Sequence, residues 1–124
     1  MAFSEKIEIE SATANSLNNI ANVSYLQGNH AQSLEAAARA AEIAKRIGDR
    51  EGLWTAQTTA GKVYRALNKP EQARQAFTDA IKIIESLRLS VAGNQARASY
   101  FARAQEPFEQ YVELLMQMLS LIHI

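Results

Sequence analysis

The chain has 124 residues with 13 Lys plus Arg, 13 Asp plus Glu and a formal net charge of zero, a length that buries one modest core rather than two. A balanced charge sets up no long-range field for nucleic acid or an anionic membrane surface, and the absence of cysteine excludes disulfides, thiolate metal sites and a cysteine nucleophile within it. The segments 1–35 and 106–113 lean acidic and Arg39 to Arg103 carries most of the basic residues, which reads as solvated outer faces with pairs such as Glu42/Arg46 and Glu85/Arg88 at helical spacing.

Punctuation along the chain predicts the elements in order. Met1 to Glu10 is charged rather than apolar, so no signal peptide is expected, and a first helix is predicted over 5–27, closed by Gly28. A second follows over 30–47. Gly48-Asp49 then reads as a helix stop followed by an N-cap, which opens a third helix over 50–67. Asn68 occupies the place of Gly28, and both residue types tolerate the left-handed conformation that ends a helix. Pro70 suits the first turn of a fourth helix over 70–90, where its missing N–H is no loss, and Glu71 favours the positive end of the helix dipole. After Gly93 a pair of helices is predicted near 94–104 and 107–120, with Pro107 starting the second. Nothing alternates with period two over a useful length, and no stretch approaches the ~20 apolar residues of a membrane span. The class is all-α, and the simplest location is cytoplasmic.

The helices repeat. The segment from Leu17 to Gly28 aligns with the segment from Gln57 to Asn68, with small residues matched at Ala21 and Gly61. The register holds through the next helix, where Ser33, Ala37, Ala40 and Ala44 fall opposite Ala73, Phe77, Ala80 and Ile84. Small residues at these positions let helix backbones approach, and Tyr64 and Phe77 fill the remaining space. A repeat that cannot bury its own face stacks on a neighbour, which predicts a short solenoid, an architecture that mostly binds other molecules.

The succession Gly61, Tyr64, Asn68, Ala73, Phe77 and Ala80 resembles the signature of the tetratricopeptide repeat (TPR) family. Ala21, Ser24, Gly28, Ser33, Ala37 and Ala40 keep the small sizes in the first copy but lose both aromatics. The spacing here exceeds the family's usual length of about 34 residues, as in variants with a longer loop between repeats. The resemblance implies a right-handed solenoid of about three helical hairpins, the last one irregular: 1–87 as two TPR-like hairpins and 88–118 as a divergent hairpin. Ile84 to Arg88, Val91 to Gly93, Ala98 to Ala102 and Phe108 to Met116 resemble the segment that joins bacterial TPR arrays to a CHAT domain, a caspase-like peptidase module. Asn94-Gln95 stands where an acidic pair is usual before Arg97, and Arg103-Ala104 where a small aliphatic pair is usual. The catalytic His and Cys of such a module would lie beyond this chain. The tail 119–124, Leu119 to Ile124, resembles a translated sequencing-adapter ending, which implies a fragment of a longer protein.

Catalytic chemistry finds little support. His30 lies beside a turn and His123 in the doubtful tail, without a second ligand at metal spacing; no serine has a His and carboxylate arranged around it; Gly61 and Gly93 belong to no phosphate-binding loop. Glu8 and Glu10 read as solvent-facing acids. Tyr100, Phe101, Phe108 and Tyr111 at helical spacing read as core rather than as a base-stacking platform. No catalytic residue, cofactor or metal is expected, and no nucleic acid or membrane partner.

A binding surface is legible instead. With Leu17, Ile20, Ala21 and Ser24 directed to the core, Asn15, Asn18, Asn22 and Tyr25 form a neighbouring stripe on the first helix, and Thr55, Thr58, Lys62 and Arg65 occupy the equivalent stripe on the third. Such side chains hydrogen-bond an extended peptide or a carboxylate. The expectation is a protein-interaction module whose partner is a protein or peptide segment, possibly acidic because of Lys62 and Arg65, with a downstream CHAT domain in the full-length chain. A stand-alone adaptor or peptide-sensing receptor would carry the same repeats.

Overall fold

A computed structural model describes residues 3–88 and 94–122, with the side chains of 5–88, 102 and 104–118. Among these residues the only regular secondary structure is helix, joined by short turns, in the order α1 (Phe3–Leu26), α2 (His30–Ile47), α3 (Arg50–Ala66), α4 (Pro70–Arg88) and α5 (Asn94–Ile122). Consecutive helices pack on one another, α1 on α2, α2 on α3 and α3 on α4; α5 packs on α4, and α1 and α5 both border α3. The result is the all-α, TPR-like solenoid the sequence predicts.

The helix ends follow from local chemistry. Gly28, Gly48 and Asn68 have φ of 79°, 75° and 60°, the left-handed conformation that lets the chain double back at little steric cost for Gly or Asn. The closing bonds recur with the repeat: the amide of Asn29 donates to the Ser24 carbonyl at 2.8 Å, and that of Lys69 to the Tyr64 carbonyl at 2.8 Å, in each case satisfying a carbonyl the last turn would leave unpaired. Asp49 caps α3, its carboxylate accepting from the Gly52 amide at 3.0 Å.

The core lies along the stripes that the repeat matches. Ser33, Ala37, Ala40 and Ala44 are buried on α2, and so are their counterparts Ala73, Phe77, Ala80 and Ile84 on α4. Ala21 and Gly61 are buried on the partner helices, and here the pairs diverge. A Cβ built on Gly61 would lie 2.5 Å from Cε1 of Phe77, well inside van der Waals contact, so the phenyl ring rests where a side chain would be. In the first pair the corresponding residue is Ala37, which leaves room for the methyl group of Ala21. Ser33 adds a bond that Ala73 cannot make: its hydroxyl donates to the Ala21 carbonyl at 2.7 Å in a buried site.

Three expectations need correction. Residues 94–122 form one helix, with Pro107 inside it, where a pair was expected to break at 104–107. Proline removes one backbone bond from a helix interior, but the packing on both sides of it is continuous. Ala104 and Phe108 join Trp54, Ala80 and Ile84, while Tyr111 and Leu114 join Ala73, Phe77 and Tyr64, so a break would sacrifice one of two core contacts. The third hairpin is therefore a single helix, which runs through the backbone of 119–122. Secondly, Ile20 is 44% exposed and Asn18 is buried, so the inner stripe of α1 runs through Ala14, Leu17, Asn18, Ala21 and Ser24. Thirdly, Arg46 reaches across to Glu10 of α1 at 3.2 Å, so Glu10 does not merely face solvent. Arg88 and Glu85 approach to 3.6 Å as expected. Tyr100, Phe101 and His123 lie outside the described side chains.

Phe77→Ala should cost roughly 3–5 kcal/mol in a urea melt, as for other large-to-small changes at fully buried aromatics. Gly61→Ala alone should cost about 1–3 kcal/mol through overpacking, yet in the Phe77→Ala background it should be neutral or stabilising by up to about 1 kcal/mol, because alanine is the better helix former. Additive effects in that double-mutant cycle would show that the two residues do not share the space.

Candidate binding groove

The sequence-predicted residues converge along the line where α1 and α3 run side by side. On α1, Asn15 and Asn22 are exposed and Tyr25 is half-buried; on α3, Thr55, Lys62 and Arg65 are half-buried. Asn18 and Thr58 are buried beneath them. Two adjoining hollows of about 320 Å³ and about 600 Å³ share Asn18, Asn19, Glu51 and Thr55 in their walls. The smaller is bounded by Asn22, Thr58 and Lys62 and the larger by Ser11, Asn15 and Asp49.

The floor is built by hydrogen bonds to backbone. Asn18 Nδ2 donates to the Gly52 carbonyl at 3.2 Å, which ties α1 to the first turn of α3. Its Oδ1 is shielded from solvent and accepts no hydrogen bond among the described residues. The hydroxyl of Thr58 donates to the Trp54 carbonyl at 2.8 Å and that of Thr55 to the Glu51 carbonyl at 2.8 Å, so both threonines spend their protons within α3 and present oxygen lone pairs. Asn15, Asn19 and Asn22 make no side-chain hydrogen bond among the described residues and stand on successive turns of α1. Each retains a donor pair and an acceptor.

The two cations are differently placed. Lys62 Nζ lies 5.1 Å from the centroid of the Tyr25 ring and 2.8 Å from Glu106 Oε1 of α5, so it bridges three helices. Arg65 donates from Nε to Gln117 Oε1 at 2.9 Å and from Nη1 to Gln110 Oε1 at 2.9 Å and Glu113 Oε2 at 2.8 Å. Glu106, Gln110, Glu113 and Gln117 recur at intervals of four, three and four residues, a helical stripe that fastens α5 along α3. Arg65 and Lys62 thus orient α5 against α3 at the far end of the groove.

With this geometry the comparison with known proteins is direct: the tetratricopeptide repeat family model matches residues 12–86, which spans both helix pairs and most of the groove. The chain belongs to the tetratricopeptide repeat family. Searches of the curated proteins and of the solved structures returned no match. Within this TPR protein the sequence missed Asn19, Thr59 and Glu106 of the smaller hollow and Ser11, Asp49 and Gly52 of the larger. The density of asparagine at 15, 18, 19 and 22 was the available signal for Asn19. The stripe at 106, 110, 113 and 117 was the signal for α5. Among the described residues no helix is long and apolar enough to cross a membrane.

Replacing Lys62 and Arg65 together with alanine should cost about 1–2 kcal/mol, discounted for the solvent exposure of Glu106 and Glu113, where exposed positions without such contacts would change stability by no more than about half a kcal/mol. Hydrogen exchange should show the loss in α5 amides, with α1 and α2 unaffected, and raised salt should reproduce part of it.

Proposed function

We propose that the groove between α1 and α3 binds a segment of another protein and reads its main chain. Binding of proteins or peptides is the general role of tetratricopeptide repeats, which are scaffolds rather than catalysts. The observation that carries this reading is the row of Asn15, Asn19 and Asn22 beside Thr55, above a floor whose Asn18 amide nitrogen and Thr58 hydroxyl are already bonded to backbone. An asparagine amide offers a donor and an acceptor side by side, the complement of a peptide group, so successive asparagines one turn apart suit an extended or loosely helical segment.

The expected acidic preference weakens with the geometry. It rested on Lys62 and Arg65, and both are paired with carboxylates of α5. An acidic segment would compete with Glu106 and Glu113 for them, and the larger hollow is walled by Asp49 and Glu51 with no cation. Main-chain recognition therefore contributes more than charge.

We further propose that in a longer protein these repeats recruit or regulate a CHAT peptidase domain. The support is the resemblance of 84–116 to the segment that precedes such domains; a stand-alone adaptor would use its helix only as the cover of the α3/α4 pair. A longer genomic clone, read beyond the codon for Met118, tests this: a His- and Cys-bearing module supports the reading, and an unrelated continuation removes it.

For the groove, peptides selected by phage display against the chain should shift the amide resonances of Asn15, Asn19, Asn22 and Thr55. Asn15→Ala with Asn22→Ala should weaken their binding about tenfold or more without lowering the melting temperature, since both side chains are exposed and alanine is the better helix former. Equal binding by the variant would place the site elsewhere.

A further inference from the structure

The outer face of α1 carries an apolar stripe that no described residue of this chain covers. Ile9, Ile20 and Val23 are 53%, 44% and 50% exposed, and with Thr13 and Ser16 they follow one another at spacings of four and three residues, along one side of the helix. This side is distinct from the inner stripe through Leu17, Ala21 and Ser24 that packs on α2. Exposed aliphatic residues scattered singly need no explanation; a stripe over four turns does.

The internal repeat says what the stripe fits. Shifted by one repeat, Ser16, Ile20 and Val23 correspond to Ala56, Ala60 and Val63 of α3. There, Ala56 is buried and Ala60 packs with it in the cluster formed by Ala36, Ala37 and Ala40 of α2, and Val63 is fully buried. There, this face of a helix is seated on a preceding helix that presents alanines at the contact.

We propose that the outer face of α1 docks an α-helix of a partner protein that presents small residues one turn apart, as α2 does to α3. The bulkier Ile20 and Val23 would fill the shallow ground such a helix offers. Among the described side chains a second copy of this chain offers no such face on α2 or α4, because its rows of alanine there, Ala36, Ala40 and Ala44 of α2 and Ala73 and Ala80 of α4, are buried within the fold. The outward apolar residues of α5, Val112, Leu115 and Met116, are large and do not supply the required surface.

The probe is the chain's own α2, made as a labelled peptide of residues 29–48 and held helical by an Arg39→Lys substitution with a side-chain lactam to Glu35, both positions being exposed in the protein. Saturable binding to the intact protein is expected at concentrations below about 100 μM, weakened about tenfold or more by Ile20→Asp or Val23→Asp. Phe at peptide positions 36 and 40 in place of Ala should abolish it. Asn15→Ala with Asn22→Ala should leave it unchanged, which separates this face from the groove. Ile20→Ser serves as the milder variant should an aspartate disturb folding, and circular dichroism checks each. Absence of binding overturns the proposal, as does binding indifferent to the α1 substitutions, the result of exchange with the resident α2. A wild-type dimer in sedimentation that Ile20→Asp dissociates would also overturn it, by showing a second copy to be the occupant.

Discussion

The contact of the Phe77 ring with the bare Cα of Gly61 organises the second repeat. A ring of that size enters between two helices only if one of them gives up its side chain, and Gly61 does so at a cost of roughly 1 kcal/mol in helix propensity. The ring then becomes the surface on which Ala73, Leu114, Tyr64 and Tyr111 close. The first repeat meets the same geometric demand with two small residues, Ala21 and Ala37, and supplements their smaller buried area with the hydroxyl of Ser33 on the Ala21 carbonyl. Dispersion and area do in one repeat what a buried hydrogen bond assists in the other.

Because Phe77 and Tyr64 face outward from the second repeat, they need a cover, and α5 provides it. Its apolar side carries Ala104, Phe108, Tyr111 and Leu114 across the α3/α4 pair, and its polar side engages Lys62 and Arg65. The contribution of those ion pairs is modest at their exposure, so they orient α5 more than they hold it, fixing its rotation about its axis while the apolar contacts supply most of the stability. The consequence reaches the groove. Cations that would otherwise give it a positive end are neutralised by residues over forty positions away, and the recognition proposed for it falls to uncharged amides.

Most of the fold was legible because it follows from short-range rules. Gly28, Gly48 and Asn68 mark turns through their backbone freedom, Asp49 through its capping oxygen, and the repeat of small residues locates the buried faces without knowledge of what lies opposite. The errors arose where a partner decides. Pro107 looks like a helix start until the continuous surface beneath α5 is known. Ile20 looks more suited to the core than Asn18, yet the carbonyl of Gly52, at the first turn of a helix thirty-odd residues later, gives the asparagine a partner and rotates the stripe by part of a turn. Lys62 borders the smaller hollow and Arg65 borders neither, and the engagement of both depends on α5, where the sequence reads two helices.

α1 is the helix whose composition this fold explains least. In a sequence consistent across levels, each apolar residue has something to cover it and each polar one has water or a partner. The apolar residues of α2, α3 and α4 meet that standard. α1 does not, for it carries a run of asparagines along one side and aliphatic residues along another, and only its remaining side, through Leu17 and Ala21, is used by α2. A helix that served solely to close α2 would need one apolar stripe and could vary freely elsewhere. The aliphatic stripe costs solubility and gains the monomer nothing, while the asparagines lower helix propensity along a helix that has only α2 and one edge of α3 to support it. Both departures lie on surfaces that the repeat geometry leaves open, and both have the chemistry of recognition, amides for a main chain and aliphatic side chains for a packed helix. The solenoid behind α1 can then be understood as the support that holds these two faces at a fixed angle to each other.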